Sequence, residues 1–138
     1  MKNLIAALTL GLIVSTVALS QDSTGIITSE LVKSGSSWDG TPLPAYPTGK
    51  PVITILRITI PPGAALPQHQ HPVINAGAIL RGELTVETED GKTLHLKSGD
   101  ALVEVVKKWH FGRNTGKVPT EILVFYAGAE NTPITVRK

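Results

Sequence analysis

From Pro51 to the C-terminus the chain is a succession of short segments rich in Val, Ile and Thr, separated by turn residues: "VITILRITI", "GAILRGELTVET", "KTLHLK", "ALVEVV" and "EILVFYAG". β-Branched side chains suit a pleated, half-buried surface, and short runs of them bounded by Gly, Pro, Asn and Asp form strands. Nowhere after residue 20 do apolar residues recur at the helical interval over three turns, so no major helix is expected. The chain is therefore expected to be all-β, with five or more short strands. "EDGK" at 89–92 places an Asp-Gly turn between two alternating runs, the pattern of a tight hairpin. Around it Leu80, Leu84, Val86, Leu94 and Leu96 share one parity, while Arg81, Glu83, Glu87, Thr93 and Lys97 share the other. Successive strand side chains point to opposite faces, so the leucine parity should face a core. His95 has the polar parity and is expected on the surface.

Upstream the chain is of a different kind. "MKNLIAALTLGLIVSTVALS" has a lysine near the start, an apolar run from Leu4 to about Ala18, and small residues at 18 and 20. The run holds about 15 residues where a bilayer needs roughly 20, so residues 1–20 are expected to be a secretory signal peptide, cleaved after Ser20, rather than an anchor. Export to the periplasm or the extracellular space follows. Residues 21–48, rich in Gly, Ser, Thr and Pro, are expected to form an extended arm, with the strand domain at 49–138. Trp38, Leu43 and Tyr46 are too apolar for a free linker, so 37–48 should pack on the domain surface or on a second subunit. Edge strands in so small a domain need cover, which makes a homodimer the expected assembly.

Composition removes several classes of function. There is no cysteine, so thiol nucleophiles and disulfides are excluded, and stability must come from the core or from a bound metal. Without Lys2 the exported chain has 12 basic residues against 11 acidic ones, which gives no polyanion surface, and nucleic acid is not an expected partner. Beyond residue 20 no apolar run is long enough to span a membrane.

Four histidines remain to be explained. "PQHQHPVIN" at 67–75 sets His69 and His71 two residues apart, so that on a strand they project from one face, with imidazoles close enough to share an ion. The alternative is a pair of ordinary polar side chains on a solvated face. Gly63, His69, His71, Asn75 and Gly82 make the pattern G-x5-H-x-H-x3-N-x6-G, which resembles the first cupin motif, with Asn75 where that family has Glu. "GDALVEVVKKWHFGRN" at 99–114 resembles the second cupin motif through Gly99, Asp100, His110 and Asn114. It departs from that motif at Val105, where Pro is usual, and at Lys107, where Gly is usual.

The resemblance covers about residues 50–128 and implies a single cupin jelly-roll β-barrel, in which the histidines of the two motifs converge on a metal. By position the ligands would be His69, His71 and His110. Neutral imidazoles suit Fe, Mn, Zn, Ni or Cu, and three of them leave positions open to water or substrate. The opposing reading is three histidines satisfied by backbone or solvent with no metal. With Asn75 in place of Glu a divalent ion would keep its full charge. Asn75 is expected to hydrogen-bond a metal-bound water, or else to ligate weakly through its carbonyl oxygen. Glu104 alternates with Leu102 and Val106 on an otherwise apolar face and is a second candidate carboxylate. Buried carboxylates are uncommon, so an edge position with Glu104 reaching solvent is the expectation. Trp109, Phe111, Phe125 and Tyr126 either line the mouth of the barrel or simply pack its core.

Three-histidine cupin sites resemble those of dioxygenases. The expected function is therefore an exported metal-dependent enzyme, an oxidoreductase of dioxygenase type, acting on a small organic molecule. The alternative is a non-catalytic module of the cell envelope that uses the barrel as a cup for a ligand or a metal. A metal-free isomerase would need acid and base groups in the cup that the sequence does not single out.

Overall fold

The computed structural model describes residues 25–138, and the expected signal peptide lies outside the described residues. Nine strands follow in order: β1 (Pro51–Ile60), β2 (His69–Gln70), β3 (Ile74–Arg81), β4 (Glu83–Thr88), β5 (Thr93–Lys97), β6 (Ala101–Val103), β7 (His110–Arg113), β8 (Thr120–Ala129) and β9 (Val136–Arg137). They form a four-stranded sheet of order β1-β8-β3-β6 and a five-stranded sheet of order β5-β4-β7-β2-β9, with every pairing antiparallel. No described residue is helical. This is the all-β jelly roll that the strand pattern and the two motifs imply.

Each sheet turns one parity inward. On β8 these are Ile122, Val124 and Tyr126, and the register sets them opposite Ile79, Gly77 and Asn75 of β3. From the other sheet come Leu84 and Val86 of β4 and Leu96 of β5, with Leu84 directly across from Leu96. Together with Ile60, Val73 and Leu102 they make one buried cluster. Burying each such aliphatic side chain contributes about 1.5–3 kcal/mol, so this cluster is the main source of stability.

The parity expected around the hairpin holds for Leu84, Val86 and Leu96 but not for Leu80, which is 44% exposed. β3 buries residues 75, 77 and 79, whereas β4 buries 84, 86 and 88. The inward parity reverses at Gly82, where the chain leaves one sheet for the other. Gly82 has φ 74°, and a Cβ there would lie 2.7 Å from the carbonyl oxygen of Pro119. Only glycine fits a left-handed turn pressed against backbone in this way. His95 is exposed as expected and lies 3.0 Å from the Thr85 hydroxyl.

From Leu31 the chain belongs to the same compact unit as the strands. Residues 35–43 close into a tight loop through Leu43 N–H to Gly35 O (2.9 Å) and Ser37 N–H to Thr41 O (2.8 Å). Of the segment 37–48 expected to pack on the domain surface or on a second subunit, the part up to Leu43 lies on the barrel surface. Trp38 packs against the core, and its N–H donates to Val103 O at 2.9 Å, continuing the edge of β6. Tyr46 stays 75% exposed. A second tie joins Asp39 to Lys108 at 2.7 Å. Burial alone would push the Asp39 carboxyl up, but the Lys108 ammonium and two donors of Thr41 outweigh it and hold the carboxyl down at about 2.

Asn114, the last residue of the second motif, is structural. Its side chain is fully buried, and its amide donates to Ile60 O (2.9 Å) and Val118 O (2.8 Å) while its carbonyl accepts from Gly116 N–H (2.9 Å). One side chain thus ties the β7–β8 turn to the end of β1. Asn114→Ala leaves three backbone groups without partners, at about 1–3 kcal/mol for each that stays buried. The expected loss is about 3 kcal/mol, measured as a lower urea midpoint with an unchanged slope. A loss below about 1 kcal/mol would mean that water replaces the amide, and that the clamp is dispensable.

Candidate metal centre

β2 is only two residues long, yet it carries the centre of the site. It pairs with β7 so that His69 stands directly across from His110, and with β9 so that His69 also faces Arg137. His71 follows β2 and is fixed by its own carbonyl, which accepts the Lys107 N–H at 2.8 Å. Lys107 has φ 55° to make that turn, a left-handed conformation that costs a non-glycine residue about 1 kcal/mol. Its position is the one where the second motif usually has Gly, so the departure in sequence keeps the backbone shape and adds strain.

The three rings meet. Their centroids are 4.9 Å (His69–His71), 4.5 Å (His69–His110) and 5.0 Å (His71–His110) apart, and one nitrogen of each lies within 4.8 Å of the others. Every Nδ1 sits on a backbone carbonyl: His69 on Pro67 O at 2.7 Å, His71 on Ile134 O at 2.8 Å, and His110 on Lys108 O at 2.8 Å. A carbonyl only accepts, so each Nδ1 is the protonated nitrogen and each Nε2 keeps a bare lone pair. Burial lowers the pKa of all three rings, that of His71 to about 4, so they are neutral at neutral pH. His110 Nε2 is buried with no hydrogen-bond partner among the described residues. A buried lone pair without a donor is costly unless something else binds it, and a cation fits three such nitrogens.

Around the rings lies a cavity of about 50 Å³, lined by aliphatic side chains of both sheets together with Asn75, Glu104 and Tyr126. A wider pocket of about 170 Å³ opens past His69, His71 and Tyr126 toward Thr135 and Arg137. Asn75 is buried, and its amide nitrogen makes one long contact, 3.4 Å to Val73 O.

Glu104 does not reach solvent, contrary to the edge position expected for it. It is 9% exposed. Its Oε1 accepts from Trp38 Nε1 at 2.7 Å and from Val105 N–H at 2.8 Å, and its Oε2 stands 3.8 Å from His110 Nε2. Burial pushes its pKa up, against those two donors. The strand β6 ends at Val103, and the arm loop covers what would otherwise be the open edge. No local pattern in "ALVEVV" announces that cover.

Of the four aromatics considered for the mouth, Tyr126 alone lines the cavity, its ring 5.3 Å from that of His71. Phe125 has the opposite parity and is 44% exposed. Trp109 lies beneath Lys138 Nζ and Phe111 beneath Arg113, each 5.8 Å from the cation, on the outside. The sequence reading missed the C-terminal "ITVRK", which carries no motif. Ile134 holds His71, the Thr135 hydroxyl is 3.2 Å from the same nitrogen, and Arg137 borders the outer pocket.

A jelly-roll barrel with three convergent imidazoles at one end defines a class, that of small barrels able to hold an ion in a cup. Comparison with known proteins specifies it further. The family model described as Cupin domain matches residues 56–126, just over half of the chain, and the protein belongs to the cupin family. A search of curated proteins returned no significant match. Among solved structures, the DMSP lyase DddQ from Ruegeria pomeroyi is 26% identical with a TM-score of 0.55, over 72% of this chain and 47% of that one. An oxalate oxidase in complex with the substrate analogue glycolate is 25% identical with a TM-score of 0.54, over 62% of this chain and 45% of that one. The oxalate decarboxylase of Bacillus subtilis, a protein with Mn(II) centres, is 24% identical with a TM-score of 0.53, over 62% of this chain and 23% of that one. The chain thus spans less than half the length of these proteins.

Proposed function

We propose that the protein is a metal-dependent enzyme in which His69, His71 and His110 hold one divalent transition ion through Nε2, and that its substrate is a small organic acid. The observation that carries this reading is the convergence of the three rings. Three backbone carbonyls fix three Nδ1–H groups, which leaves three lone pairs on rings that converge, and one of them has no hydrogen-bond partner among the described residues. When bound, the ion supplies Lewis acidity and, if it is Fe or Mn, one-electron chemistry of the kind used in oxidative cleavage. The remaining work falls to the chain. The aliphatic walls exclude water, Tyr126 bounds the cup beside His71, and Arg137 places a cation at the entrance, where a carboxylate would be drawn in. A substrate of that class agrees with the small volume of the cup and with glycolate in the oxalate oxidase.

The same reading keeps export with cleavage after Ser20 and assembly as a homodimer as proposals, supported by the apolar start and by the exposed apolar residues Ile53 and Ile55 on edge strand β1. Elemental analysis of protein purified without added metal is expected to show one transition ion per chain. Such protein should consume O2, or release CO2, with one member of a panel of two- to four-carbon acids. Stoichiometric metal with no turnover across the panel would favour the binding module instead, and metal well below one per chain would remove the centre altogether.

A further inference from the structure

On the reading that the histidines hold an ion, we propose that Glu104 supplies to it the carboxylate that the first motif lacks at Asn75, and that Trp38 of the arm loop is the positioning residue that holds Glu104 in place. Glu104 Oε2 and His110 Nε2 are 3.8 Å apart. That is too long for a hydrogen bond between them, yet within the roughly 3–4 Å that separates two ligands each about 2.1 Å from a shared ion. Both groups are buried, and His110 Nε2 has no hydrogen-bond partner among the described residues. A buried carboxylate oxygen and a buried lone pair facing one gap are each unfavourable alone, and a cation between them satisfies both.

The other half of the carboxylate is fixed. Oε1 accepts from Trp38 Nε1 and from Val105 N–H, so rotation of the group about its last bond is blocked and Oε2 stays turned toward His110. The loop also grips the backbone here: Ser37 Oγ donates to Glu104 O at 2.9 Å, and Trp38 N–H to Val103 O at 2.9 Å. Trp38 lines neither of the two pockets around the rings. Its indole meets the site at Glu104.

Asn75 offers a contrast. It lies on β3 opposite Tyr126 of β8, carries no charge, and already spends its amide on a weak contact with Val73 O. The carboxylate has therefore moved from β3 to the end of β6. A divalent ion held by three neutral imidazoles and Glu104 keeps one net positive charge, not two, so the charge of the centre is restored although the motif residue is gone.

The experiment uses Co(II), whose binding is followed by calorimetry and whose visible absorption reports the ligands, with apoprotein melting as the check on folding. Glu104→Gln retains an oxygen for Trp38 and Val105 and removes the negative charge. Its affinity for Co(II) is expected to fall about 10–100-fold. His95→Ala, at an exposed position away from the rings, should stay close to the parent. Trp38→Phe keeps the packing and loses the donor, so at full loading its Co(II) spectrum should differ from the parent's, a change that lowered stability alone does not produce. If Glu104→Gln fails to fold, Glu104→Asp, which retracts the carboxylate by one methylene, should give the same fall. Parental affinity in the Glu104 variants, with binding abolished in His110→Ala, overturns the proposal and leaves the histidine centre standing. Retention of Co(II) by His110→Ala sinks both. A parental spectrum in Trp38→Phe removes the role given to Trp38.

Discussion

Replacing His69, His71 or His110 with alanine should abolish stoichiometric binding of a divalent ion, and with it the difference in melting temperature between loaded and chelated protein. A ligand that binds only the folded state stabilises it by RT ln(1 + [L]/Kd), which is about 2.7 kcal/mol at a hundredfold excess over Kd. For a domain of this size that corresponds to roughly 10 °C or more. Loss of one imidazole in three weakens binding by at least about 100-fold, and the stabilisation at the same ion concentration then falls to about 0.4 kcal/mol. The three variants should behave alike, since each ring is held by its own carbonyl and none can swing in to replace another. His95→Ala should leave both ion content and melting shift intact, because His95 is exposed and bonded to Thr85 on the far side of the hairpin. Metal analysis and paired melting curves with and without chelator decide the matter. Parental ion content in any of the three, or its loss in His95→Ala, would show that the ion sits elsewhere.

How far the sequence carried this reading differs from residue to residue. His69 and His71 were legible as a pair from their H-x-H spacing, although His71 lies just past the two-residue strand β2, and His110 joined them through motif spacing. Ion binding itself is what the alanine variants test. Leu80 was misread because parity is legible only within one strand, and the reversal at Gly82 depends on a contact with Pro119 far along the chain. Glu104 shows the same limit. The rule that carboxylates avoid the interior is an average over solvated edges, and here the edge is covered by Trp38, 66 residues earlier. Ile134, Thr135 and Arg137 reach the site through a two-residue strand that pairs with another two-residue strand. Elements so short have no periodicity to read.

Acidification should weaken the chelated protein between pH 6.5 and about 4. Burial makes the folded state refuse protons that the unfolded chain accepts, so His71 stays neutral down to about 4 while its unfolded counterpart titrates near 6.5. A histidine whose folded pKa is depressed contributes stability that is complete above the unfolded value and is lost as pH falls toward the folded one. For His71 that loss is about 3 kcal/mol at 1.36 kcal/mol per pH unit. His69 and His110 are shifted in the same direction and add to it. Glu104 acts in the opposite sense: its raised pKa favours protonation of the folded state, which offsets part of the loss. Asp39, held down at about 2, keeps its contribution until pH falls below its ordinary value of 3.8, so it does not act in this window. The expected net slope is a decline on acidification, led by His71. Urea unfolding of chelated protein at half-unit steps from pH 7.5 to 4.5 measures it. His71→Asn, which keeps a donor for Ile134 O but cannot titrate, should flatten the decline, and Glu104→Gln, which removes the offset, should steepen it. If the parent is equally stable at both ends of that range, the imidazoles are not held neutral by burial, and the assignment of the three bare Nε2 lone pairs fails with them.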